Sequence, residues 1–81
     1  MTPQASSAVF ELARQSIAHA GDMKTSAQLC LKDAENLHNA GGYKYAIERS
    51  LKSILYSVGC YGPAYRQACA ILAELGVEND S

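Results

Sequence analysis

Three phrases in this chain end on the same punctuation: Ile17-x-x-Ala20-Gly21, Leu37-x-x-Ala40-Gly41 and Leu72-x-x-Leu75-Gly76. Each sets an apolar residue four positions before a glycine, with Ala or Leu directly ahead of it. A glycine just past an apolar stripe is a helix stop, because without a Cβ it accepts the left-handed conformation that closes the last turn. Such stops cut the 81 residues into short rods joined by brief links.

Apolar spacing fills in the rods. A first helix is expected over about 3–20, with Thr2 as cap, Pro3 in the first turn and a stripe of Phe10, Ala13, Ile17 and Ala20 widened by Val9 and Leu12. Asp22 is placed to cap a second helix over about 22–40, striped by Met23, Ala27, Cys30, Ala34 and Leu37. After Gly41-Gly42, a third helix over about 43–58 carries Tyr43, Ile47, Leu51, Ile54 and Val58, with Ala46 and Leu55 beside them. Pro63 opens a fourth over about 63–76, through Ala64, Ala68, Ile71 and Leu75, and 77–81 reads as a frayed acidic tail. Links this short make neighbouring helices antiparallel. No segment alternates apolar and polar residues with β-branched enrichment, as a strand would. The expected fold is all-α and one domain: four antiparallel helices, as a closed bundle or as two stacked αα-hairpins.

Part of this pattern resembles the tetratricopeptide repeat. Ala34-x-x-Leu37-x-x-x-Gly41-x-Tyr43-x-x-Ala46 is similar to the end of a repeat's first helix and its turn, and Ile47, Ser50, Lys52, Ser53 and Ile54 to its second helix. Pro63-Ala64-Tyr65-x-x-Ala68-Cys69-x-x-Leu72-x-x-x-Gly76 is similar to the opening of a following repeat. The resemblance covers about half the chain and implies protein or peptide binding without catalysis. Asp33-Ala34-Glu35-x-Leu37-x-x-Ala40-Gly41-x-Tyr43-x-x-Ala46, followed by Ile54-Leu55-Tyr56-x-x-Gly59, also resembles the helical HEPN family. Ribonuclease members of that family use an Arg-x(4–6)-His pair, a spacing that Arg14 and His19 share, although here the pair precedes the matching segment.

Charge and aromatic placement single out the third helix. The five tyrosines, Tyr43, Tyr45, Tyr56, Tyr61 and Tyr65, all lie within 43–66. The same segment holds Lys44, Arg49, Lys52 and Arg66 against one acid, Glu48, so it carries +3 in a chain of net charge −1. Tyr and Arg are enriched at interfaces because they bring large amphipathic area at low entropic cost. Tyr45, Arg49, Lys52, Tyr56 and Tyr61 are therefore the expected partner-binding residues, with another protein, acidic by complementarity, as the partner. Tyr43 and Tyr65 suit helix packing.

A near-neutral total disfavours nucleic acid, and no stretch approaches the ~20 apolar residues of a membrane span. Cys30, Cys60 and Cys69 are odd in number and lack metal-type spacing, which reads as buried thiols in a reducing cytoplasm, with Cys60 the exposed one. The N-terminal segment lacks the basic and long apolar stretches of a signal peptide. His19 and His38 fall in the last turns of two helices, where an imidazole can bond free carbonyls and oppose the helix dipole. No catalytic constellation, metal site or cofactor is expected. Leu29, Leu31 and Leu55 flank the main stripes and could form a second face for a homodimer. Function then reads as a small regulatory interaction protein, an adaptor, chaperone-like module or inhibitor, with a nucleic-acid-associated regulator or a HEPN-like ribonuclease as alternatives.

Overall fold

A computed structural model describes residues 3–59 and 62–74. Four helices pack on one another with no strand among the described residues: α1 (Pro3–Ser16), α2 (Lys24–Asn39), α3 (Tyr43–Val58) and α4 (Pro63–Glu74). No described helix is long and apolar enough to cross a membrane.

The two glycine stops within the described residues work differently. At the end of α2 the Gly42 N–H donates to the Leu37 carbonyl at 2.8 Å and the Gly41 N–H to that of His38 at 3.0 Å, with Gly41 at φ 85°. That pair of bonds is a Schellman motif, as the sequence implies. Gly21 is not left-handed. α1 gives way at Ser16 to a 3-10 turn, Ile17–His19, which Ala20 ends in extended conformation (φ −71°, ψ 142°). The tighter turn takes up the orphan carbonyls, so no left-handed residue is needed. The Lys24 N–H then bonds the Gly21 carbonyl at 3.1 Å across Asp22 and Met23. This turn delays α2 by two residues against expectation and leaves Met23, not Asp22, at its N-cap. α3 stops at Gly59, whose φ of 80° and ψ of 171° lie in a region essentially reserved for glycine. Thr2, Leu75, Gly76 and the tail lie outside the described residues.

Two side-chain ties show the helix directions. Ser6, early in α1, shares a 2.8 Å hydrogen bond with Nδ1 of His38, late in α2. Ser53, late in α3, donates at 2.8 Å to the carbonyl of Ala27, early in α2. α1 and α2, and α2 and α3, are thus antiparallel, which puts α1 and α3 parallel. α1 and α3 are in contact along the middle, and α2 and α4 lie apart on opposite sides of them, without contact between their described residues. α4 packs on α1 as well as on α3, which closes the bundle.

The core is built from small side chains. Ala5, Val9, Ala13, Ile47, Ile54, Ala68 and Leu72 form its central cluster, and Ala27, Ala34 and Ala46 are also buried. Five serines, Ser6, Ser16, Ser50, Ser53 and Ser57, are buried with them. Helix axes approach closely where side chains are small. A serine can be enclosed there because its hydroxyl can bond a carbonyl one turn back. Ser16 donates to Leu12 and Ser57 to Ser53 in that way, both at 2.8 Å.

This packing turns α1 away from its expected face, while α2 packs through its expected stripe but less deeply. α1 buries Ala5, Ser6, Val9, Ala13 and Ser16, while Phe10, Ile17 and Ala20 are only half-buried. In α2 only Ala27 and Ala34 are buried; Met23 is 46% exposed, and Cys30 and Leu37 are half-buried. The described cysteines, Cys30 and Cys69, are free and half-buried, not buried as expected. Cys60 lies outside the described residues.

Candidate functional site

α3 carries the candidate site; like α1, it is in contact with all three other helices. Its inner side, Ala46, Ile47, Ser50, Ser53, Ile54 and Ser57, is fully committed to the core. Spacings of four, three and four residues put Tyr45, Arg49, Lys52 and Tyr56 on a single stripe of the remaining surface. At about 1.5 Å of rise per residue the stripe is about 16 Å long.

Tyr45 is 59% exposed, Arg49 and Lys52 are exposed, and Tyr56 is half-buried. Leu55, at 40% exposure, and Glu48 border the stripe. The periodic reading placed Leu55 beside the core stripe, but serines occupy that space and the leucine faces outward. Neither Arg49 nor Lys52 makes an ion pair among the described residues, although Glu48 stands one turn before Lys52. Among the described residues, two cations therefore stand without an ion pair between two phenols. Tyr43 and Tyr65 point elsewhere: Tyr43 meets the His38 ring edge-on at 5.2 Å, and Tyr65 packs against the core. No described tyrosine is buried. Tyr61 lies outside the described residues.

No protein-family model, curated protein or solved structure matches this chain.

The other singled-out residues are dispersed. Arg14 is exposed and its guanidinium is held by Glu11, Nε donating to Oε2 at 2.9 Å and NH2 to the second carboxylate oxygen. That hydrogen bond lowers the Glu11 carboxyl below the usual carboxylate range, and Glu11 in turn raises Arg14. His19 lies exposed in the 3-10 turn, at the edge of a shallow groove of about 220 Å³ formed with Gln15, Val58, Ala64 and Gln67. His38 does not act as the carbonyl cap anticipated for it; it ties α2 to α1 through Ser6. Because Ser6 is fully buried, that serine–histidine pair is closed to a substrate. A second groove of about 270 Å³ runs past Phe10, Glu35, His38 and Asn39. Both fall short of the ~300–1,000 Å³ of ordinary small-molecule sites. No group of three metal-ligating side chains occurs among the described residues.

The Ser6–His38 tie is the feature that sequence reasoning missed. The two residues are 32 positions apart, and no local pattern links them.

Proposed function

We propose that this chain is a small, non-enzymatic interaction module that captures another protein through the outer face of α3. The observation that carries this reading is the stripe itself: Tyr45, Arg49, Lys52 and Tyr56 stand on one face, with neither cation in an ion pair among the described residues. One exposed and one half-buried phenol beside exposed guanidinium and ammonium groups match the composition of interface anchors. α3 is held by three neighbours, so the stripe is displayed on a rigid support and little order is lost on binding. The shallowness of both grooves fits a function exercised on a surface. Two described free thiols support a reducing compartment, and we place the protein in the cytoplasm.

Pull-down from native lysate tests the reading. Tyr45→Ala with Arg49→Ala should release the captured partner, since both side chains are solvent-facing and dispensable for folding. Undiminished capture of the same partner by the double variant would remove the site. Phenols interleaved with cations also suit a nucleic-acid strand, and a salt titration separates the two: phosphate contacts give a steep log–log loss of affinity, a largely apolar protein contact a shallow one.

A further inference from the structure

Resting on that reading, we infer that the α3 face receives an acidic amphipathic helix, whose carboxylates one turn apart meet Arg49 and Lys52 while its apolar side chains cover Tyr45, Leu55 and Tyr56. Three observations lead there.

The first is what α3 can offer. It is a continuous helix from Tyr43 to Val58, whose backbone groups between its two end turns bond along the helix, so it has no open edge to which a strand could be added. Recognition has to run through side chains.

The second is spacing. Arg49 and Lys52 are three residues apart, an axial separation of about 4.5 Å. In an extended segment the residues facing one side recur every ~6.6 Å, so its carboxylates drift out of step with the two cations. A helix lying along α3 presents residues i and i+3 at the same ~4.5 Å, and continues in step over the ~16 Å from Tyr45 to Tyr56. Three turns of a partner helix span that length.

The third is charge and area. Among the described residues both cations lack an ion pair, and they stand between exposed apolar surface, Tyr45 at 59% and Leu55 at 40%. A segment with a carboxylate pair between apolar residues answers both features. α3 already packs against three helices, and the stripe is a side those neighbours leave open, so the occupant would pack as one more helix of the bundle.

A displayed library of random peptides about 16 residues long, some four helical turns, tests the inference. Selection is on the folded protein, with counter-selection on the Tyr45→Ala/Arg49→Ala variant after circular dichroism has shown it to be folded. Enrichment of peptides with Asp or Glu three or four apart and apolar residues a turn beyond is the expected result. Synthetic copies should bind at least tenfold more weakly to the Arg49→Ala/Lys52→Ala variant, and a central proline in the peptide should abolish binding. Peptides that need Tyr45 and Arg49 but lack paired acids, or that tolerate the proline, would overturn the acidic helix and leave the interaction module standing. Equal enrichment on wild type and counter-selected variant would overturn both. So would sedimentation showing a dimer that buries Tyr45, or binding of an oligouridylate lost in the same variants.

Discussion

Ser50 and Ser53 lie one turn apart on α3, both fully buried, yet replacing them with alanine should move stability in opposite directions. Ser53 donates to the Ala27 carbonyl at 2.8 Å; the Ser50 hydroxyl has no hydrogen-bond partner among the described residues. A buried hydroxyl without a partner forfeits about 1–3 kcal/mol of hydration, which Ser50→Ala returns. Alanine adds a few tenths of a kcal/mol, up to about 0.7, through its better helix propensity. Ser50→Ala should therefore stabilise by about 1–3 kcal/mol. Ser53→Ala has the same propensity gain but loses an interhelix bond of about 0.5–1.5 kcal/mol, for a net loss of up to about 1 kcal/mol. The Ala27 carbonyl keeps its place in the α2 ladder, so no new orphan arises there. A gap of about 2 kcal/mol between the variants corresponds to about 8–16 °C in midpoint for a domain this small. Urea melts followed by circular dichroism at 222 nm, with unchanged slopes, measure it. If Ser50→Ala melts at or below wild type, the account of an uncompensated hydroxyl is wrong.

Other perturbations test the remaining features. Ile54→Ala empties the largest fully buried side chain and should cost about 2–5 kcal/mol in the same melts. Gly41→Ala should cost about 1–2 kcal/mol because φ of 85° is strained for any Cβ, although no atom stands within 4 Å of it. Gly21→Ala, with equal space and no left-handed φ, should be neutral or slightly stabilising, and an equal loss at both sites would contradict the two turn types. The Glu11 carboxyl is depressed chiefly by its hydrogen bond from Arg14. Its contribution is therefore present above the ordinary carboxylate range and disappears as pH falls through the lowered folded value. A carbon-13 titration of Glu11 should show the midpoint rising in Arg14→Gln; an unmoved midpoint would remove the pair as the cause.

How much of the protein could be read in advance differs from helix to helix. Pro3, the Gly41-Gly42 pair, Gly59 and Pro63 mark helix ends through backbone chemistry that needs no neighbours, so α3 and the start of α4 fall where the residues place them. The Tyr45–Arg49–Lys52–Tyr56 stripe was legible for a related reason. Spacings of four, three and four define a face on any helix, and the charge bias toward that segment is a property of the chain.

Which face of each helix turns inward is another matter. Hydropathy turns Phe10 and Ile17 toward the core and leaves serine outside, whereas the bundle encloses Ala5, Ser6, Val9, Ala13 and Ser16. α3 likewise buries Ser50, Ser53 and Ser57, with Leu55 turned outward. The residues by themselves determined where the helices run and that one of them bears a phenolic, cationic stripe, because those follow from local backbone preference and periodicity. Only tertiary packing decided that small residues face one another across the α1–α3 contact. Close approach of two axes rewards low side-chain volume over hydrophobicity, and a serine hydroxyl is enclosed at low cost when a carbonyl on its own helix or the next one accepts its hydrogen bond.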